Sequence, residues 1–141
     1  MATEGCAFCR IVTREVYAHE VWRGDGVVAF LDHAPLFEGH VLVVPVDHHV
    51  TLVDLPAGEL EHYFAVVQRI SARLPEAMGA AGSFVAMNNV VSQSVPHLHT
   101  HVVPRRRGDG LRGFFWPRTR YADEASASAV ASAIRAALQR G

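Results

Sequence analysis

The residues with the most chemistry to offer are histidines and cysteines. Nine histidines occur in 141 residues, and three of them alternate in His97-Leu98-His99-Thr100-His101-Val102-Val103. Successive side chains of a strand point to opposite faces, so a period of two puts all three imidazoles on one side and Leu98, Thr100 and Val102 on the other. Three imidazoles at steps of about 6.8 Å would make a costly core, because each ring nitrogen would need a partner. The arrangement reads as functional, the alternative being a solvent-exposed His-rich face or a fortuitous alternation. Metal binding accounts for some of the histidines but not for all. Cys6 and Cys9 are the only cysteines. Two so close together make no disulfide framework and read as metal ligands or a redox pair, the latter lacking the βαβ surroundings it would need.

Elements must hold these groups in place. Val27 to Asp32 and His40 to Val44 read as neighbouring strands, punctuated by Pro35 and Gly39. Leu60, Tyr63, Phe64, Val67, Ile70 and Leu74 recur at three-and-four spacing, which predicts a helix with one apolar stripe, Asp54 as its N-cap and Pro75 or Gly79 at its end. Gly82 to Met87 reads as a third strand running into a polar turn from Asn88 to Ser94, and His97 to Val103 as the next strand, closed by Pro104. A loop from Arg105 to Tyr121 and an Ala-rich helix from Asp123 to Arg140 finish the chain. Strands joined by short connections around one long helix favour an antiparallel α+β fold.

Half the residues are apolar and 19% are charged, which suits one packed domain over 1–141, with a core of about 6–104 and a C-terminal loop and helix over 105–141. All 13 basic residues are arginines, and the formal charge is −1. That excludes Schiff-base lysine chemistry and a P-loop lysine, and argues against nucleic-acid or membrane-surface binding. With no apolar run near the roughly 20 residues of a membrane span and a polar start, the expectation is a soluble, cytoplasmic protein with a small-molecule partner.

Gln93-Ser94-Val95-Pro96-His97-Leu98-His99-Thr100-His101-Val102-Val103 resembles the signature of the histidine-triad (HIT) family of nucleotide hydrolases and transferases. Further pieces agree in order: Cys6-x-x-Cys9, Phe30-Leu31-Asp32 with Pro35 after it, and Gly39-His40-Val41-Leu42-Val43-Val44-Pro45 followed by His48. The sequence departs from the family at Thr100, usually apolar, at Val46, often lysine, and in the turn from Asn88 to Gln93, usually Gly-rich.

The resemblance implies a HIT-like antiparallel sheet that forms homodimers, acting on a purine nucleotide with AMP as product. It makes His99 the nucleophile toward the α-phosphorus, its other nitrogen donating to the main-chain carbonyl of His97. His101 would stabilise the developing phosphate charge, Ser94 would donate to the leaving group or a phosphate oxygen, and water would hydrolyse the nucleotidyl-histidine intermediate. His101, where transferring branches have glutamine, favours hydrolysis of nucleoside phosphoramidates or dinucleoside polyphosphates. The alternatives are phosphorolysis of dinucleoside polyphosphates, or a nucleotide-binding interaction module with weak turnover. The same resemblance places Asp32 on the ribose hydroxyls, Phe8, Ile11 and Phe30 around the purine, His33 at the base pocket, and Asn88 and Gln93 on the phosphate side, with Asn89 competing with Asn88. Members of the zinc-bearing bacterial-type branch complete a structural zinc site that here would comprise Cys6, Cys9, His48 and His97, with His49 as rival to His48. Six arginines between Arg105 and Arg120, with Phe114, Phe115 and Trp116, either grip a polyphosphate and a second base or form a solvated rim around an aromatic anchor.

Overall fold

A computed structural model describes residues 3–111 and 118–140. The chain divides into two compact units, Met1–Asp109 and Gly110–Gly141. In the first unit, β1 (Glu20–Gly24), β2 (Val27–Leu31), β3 (Val41–Pro45), β4 (Gly82–Ala86) and β5 (Thr100–Arg105) form one sheet in the order β1-β2-β3-β5-β4. Every neighbouring pair is antiparallel. The architecture is the α+β, antiparallel one expected from the sequence.

β2 and β3 read as almost unbroken apolar runs because both faces of the sheet are covered. Val27, Ala29, Val41 and Val43 meet Tyr63, Val66, Val67 and Leu74 of the long helix α2 (Ala57–Met78). Val28, Phe30, Leu42 and Val44 meet Cys6, Phe8 and Cys9 around the short helix α1 (Ala7–Val12). His101 is in register with Leu42, so it faces α1, whereas Thr100 is in register with Val43 and faces α2. The hydroxyl of Thr100 is fully buried there and lies 2.7 Å from the Tyr63 hydroxyl, which also donates to the Val43 carbonyl. That partner explains how a polar residue is accommodated where an apolar one was the family expectation.

Several boundaries differ from the sequence reading. Asp54 does not cap α2; it accepts from the backbone and hydroxyl of Thr51 and closes a separate 3-10 turn, Leu52–Asp54. Pro56 follows and α2 starts at Ala57, because the residue before a proline is held extended. Pro75 lies inside α2, which ends at Gly79 with φ 60°. The triad segment is regular strand only from Thr100: Leu98 N–H donates to the His49 carbonyl at 2.6 Å, outside the sheet ladder. Pro104 belongs to β5 rather than closing it, beyond the last residue paired with β3, where a missing N–H is tolerated. The elements α1 and β1 were not anticipated. In the second unit, α3 (Glu124–Gln139) starts at Asp123, whose carboxylate accepts from Ser126 N–H at 2.7 Å, close to the expected bounds.

Candidate active site and metal centre

Cys6 is both a ligand-type residue and the N-cap of α1, its sulfur accepting from Cys9 N–H at 3.4 Å. Cys9 accepts in turn from Thr3 N–H at 3.4 Å. Against the two sulfurs lie His48 and His97, and the four donor atoms stand within 4.8 Å of one another. Cys6 Sγ to His97 Nδ1 is 3.5 Å, Cys9 Sγ to His48 Nδ1 is 3.3 Å, Cys9 Sγ to His97 Nδ1 is 3.6 Å and the two Nδ1 atoms are 3.2 Å apart. A tetrahedron with bonds of about 2.3 Å to sulfur and 2.0–2.1 Å to nitrogen has edges of about 3.3–3.8 Å, so the donor set fits a zinc ion. His97 Nε2 donates to the Pro45 carbonyl at 2.9 Å, which leaves its Nδ1 lone pair toward the cluster. Burial pushes the Cys9 thiol up and the His97 imidazole down to about 4. His48, not His49, joins this group; His49 turns to α2, with Nε2 3.2 Å from Glu59.

Two residues beyond His97 stands His99, buried on the α1 face with its ring centroid 5.0 Å from that of Phe8. Its Nδ1 donates to the His97 carbonyl at 2.7 Å, so in the neutral ring Nε2 keeps the lone pair. The ring centroid of His101 is 5.1 Å away. His101 Nδ1 lies 2.9 Å from Nε2 of His40, and His40 Nδ1 accepts from Leu36 N–H at 3.0 Å. Since His40 Nδ1 is an acceptor, its proton sits on Nε2 and is donated to His101 Nδ1. Neutral His101 therefore carries its own proton on Nε2. Burial, with His99 and His40 as neighbours, pushes His101 down to about 4, and burial also lowers His40 while Asp32 pulls it the other way. The sequence reading gave His40 no role, although it stands in one of the quoted motifs; a polar residue at the head of an otherwise apolar strand was the available signal.

Phe8, Ile11, Phe30, Asp32 and His33 line one cavity of about 640 Å³, together with Leu42, Tyr17 and His19. Asp32 combines two roles: Oδ1 accepts from Ala34 N–H at 2.9 Å, closing a turn, while Oδ2 lies 3.7 Å from His40 Nε2. The His33 side chain is 99% exposed at the rim. Asn88 and Ser94 are exposed and outside that lining. Gln93 is a clamp, its amide accepting from Val90 N–H at 3.3 Å and donating to the Val50 carbonyl at 2.6 Å, and Asn89 accepts from Leu52 N–H at 2.8 Å. Val90 and Ser92 adopt φ of 69° and 62°. These left-handed conformations fall in the turn where the family is Gly-rich, and a β-branched residue there is strained. Phe114, Phe115 and Trp116 lie outside the described residues.

A histidine bonded to the main-chain carbonyl of a second, between a Cys–His cluster and a further imidazole pair, on a five-stranded antiparallel sheet, defines a histidine-triad site. The HIT domain family model matches residues 13–108, and the chain belongs to this family. It is 36% identical over 107 residues to an uncharacterised HIT-like protein of Methanocaldococcus jannaschii, covering 74% of this chain and 82% of that one. It is 31% identical over 108 residues to an adenylylsulfatase of Arabidopsis thaliana, covering 75% of this chain and 55% of that one. A HIT family structure from Bacillus subtilis superimposes with a TM-score of 0.84 at 27% identity, covering 94% and 96% of the two chains. A zinc-bound histidine triad family protein from Mycobacterium smegmatis does so at 0.72 and 34% identity, covering 92% and 97%. A histidine triad nucleotide-binding protein from Candida albicans gives 0.81 and 25%, covering 96% and 99%. Among the described residues no helix is long and apolar enough to cross a membrane.

Proposed function

We propose that the protein hydrolyses purine nucleotides at the α-phosphate, releasing AMP from nucleoside phosphoramidates or dinucleoside polyphosphates through a nucleotidyl-histidine intermediate. The observation that carries this reading is the hydrogen bond from His99 Nδ1 to the His97 carbonyl, which orients the Nε2 lone pair for attack. In the first step the Nε2–phosphorus bond forms as the bond to the leaving group breaks, and Ser94 assists departure of that group. In the second, water attacks phosphorus, the phosphorus–nitrogen bond breaks, and AMP leaves with His99 restored. His101, held neutral with its proton on Nε2, donates to a phosphate oxygen where charge develops. The cavity between Phe8, Ile11 and Phe30 takes the base, with His33 at its rim, and Asp32 accepts from the ribose hydroxyls. Asn88 contacts the phosphate side. Gln93, whose amide accepts from Val90 N–H and donates to the Val50 carbonyl, stands with Asn88 as a substrate-binding residue.

The family relatives named as an adenylylsulfatase and as a nucleotide-binding protein support the nucleotide assignment. Cys6, Cys9, His48 and His97 would hold a structural zinc ion, and the zinc-bound Mycobacterium smegmatis relative supports that cofactor. Zinc bound there supplies a cross-link between α1 and the triad segment. Incubation with adenosine phosphoramidate and with a diadenosine polyphosphate is expected to release AMP from at least one of them. AMP binding without release from either would replace this reading with a nucleotide-binding module.

The protein is also read as a homodimer. β4 is an edge strand, and Phe64 of α2 and Val85 of β4 line one cleft beside that edge, each substantially exposed. An open edge with apolar flanks is a template for pairing, and a two-fold axis closes the assembly. Light scattering is expected to return twice the chain mass of 15.4 kDa, and the mass of one chain at micromolar concentration would refute the dimer.

A further inference from the structure

Cys6 and Cys9 hold an arrangement that metal ligation does not use up. Cys6 caps α1, Cys9 sits one turn on, and Cys9 N–H points at the Cys6 sulfur from 3.4 Å. Their sulfurs lie within 4.8 Å of one another, and residues three apart at a helix start keep their backbones inside the roughly 6.8 Å separation that a disulfide tolerates. Both thiols are free. Cys9 is 2% exposed, yet it lines a cavity of about 440 Å³ whose other walls include Thr3, Glu4, Gly5, Arg10 and Thr13, all exposed. A hydroperoxide molecule is not much larger than the roughly 30 Å³ share of a water, so it fits such a space. Phe8, between the two cysteines in the chain, lines the cavity proposed for the base, and its ring centroid is 5.0 Å from that of His99. What moves α1 therefore moves a wall of that cavity.

We infer that Cys6 and Cys9 are a reversible oxidation site, at which a hydroperoxide entering beside Cys9 closes the pair into a disulfide and frees α1 from the triad segment. The Cys9 thiolate attacks a peroxide oxygen, the O–O bond breaks, and the departing hydroxide takes a proton to become water, leaving a sulfenic acid on Cys9. The Cys6 thiolate then attacks the Cys9 sulfur, the S–O bond breaks, and the second hydroxide leaves as water with a second proton. The two sulfurs lose two electrons and the peroxide gains them. A disulfide offers no thiolate to an ion, so His48 and His97 alone would remain of the four proposed ligands. Closure of the disulfide needs only the two sulfurs. Its effect on an ion rests on the proposed zinc, and its effect on nucleotides rests on the proposed hydrolase reading.

The test is a hydrogen peroxide titration of the untagged full-length protein after incubation with zinc, followed by peptide mass mapping and a chromophoric zinc chelator. One Cys6–Cys9 disulfide and one released zinc ion per chain are expected, both reversed by dithiothreitol with added zinc. AMP affinity should fall by about tenfold, within the range usual for coupled sites. In Cys6→Ser the reaction should stop at Cys9, which dimedone then labels as its sulfenic acid. Should that variant fail to fold, the peptide map of the unaltered protein decides by itself. Thiols left intact or oxidised singly to sulfinic or sulfonic acid under a large excess of peroxide, with no link between them, overturn the inference, as does a disulfide that leaves AMP affinity unchanged. A disulfide in a protein that takes up no zinc overturns the zinc reading alone. A disulfide in a protein that neither binds AMP nor cleaves nucleotides overturns the hydrolase reading alone.

Discussion

His99→Ala is expected to abolish hydrolysis of an adenosine phosphoramidate, lowering kcat by about 10⁴-fold or more, as loss of a covalent nucleophile does elsewhere. AMP affinity should change by no more than a few fold, because the cavity walls Phe8, Ile11 and Phe30 and the Asp32 carboxylate are untouched. The graded part of the same experiment is His40→Ala. That change leaves His99 and its carbonyl partner intact but removes the donor that sets the His101 tautomer. Its expected cost is about 10²-fold in kcat, in the range for a mispositioned proton donor, with KM nearly constant. His40→Gln, which keeps an N–H donor, should recover part of that loss. Rapid quenching with labelled substrate should find the label on His99. Retained turnover in His99→Ala, or label on another side chain, would sink the covalent mechanism.

Removal of the proposed zinc is expected to be the most damaging change to the structure. Structural zinc sites in small peptides contribute about 10–16 kcal/mol at pH 7. A domain with its own core depends on the ion less, and a fall in Tm of at least about 10 °C corresponds to the loss of only a few kcal/mol. Cys9→Ser should match chelation, since Cys9 Sγ touches both His48 and His97. Activity should fall with stability, because the carbonyl that accepts from His99 belongs to His97, itself one of the four proposed ligands. Ligands bind as thiolate and neutral imidazole, so the stabilisation is present at neutral pH and lost toward acid as protons compete. Metal analysis finding no stoichiometric zinc in fully active protein would remove this account.

The parts of the fold legible in the sequence are those where one local signal dominates. The apolar stripe of α2, the runs of β2 and β3 and the Ala-rich stretch of α3 each bury or expose a face with the right period, and each forms near its expected place. Asp54 shows the opposite case. A good capping residue was present, but Pro56 two residues later moved the helix start and left Asp54 to close a turn of its own. The six residues of α1 lacked a familiar capping side chain, since the cap is the sulfur of Cys6.

For the site, the covalent spacing of the chain determined a great deal. Alternation from His97 to His101 puts reactive rings on one face, and Cys6-x-x-Cys9 keeps two sulfurs close along the chain, although the helix α1 that holds them was not read from the sequence. What only the tertiary structure decided is which nitrogen of each ring carries the proton. His40 and His101 are 61 residues apart, and the direction of their shared hydrogen bond follows from a third residue, Leu36, donating to the far side of His40. A tautomer is chosen by its partners in space, and sequence records residue types and separations along the chain but not the orientation of a hydrogen bond across the fold.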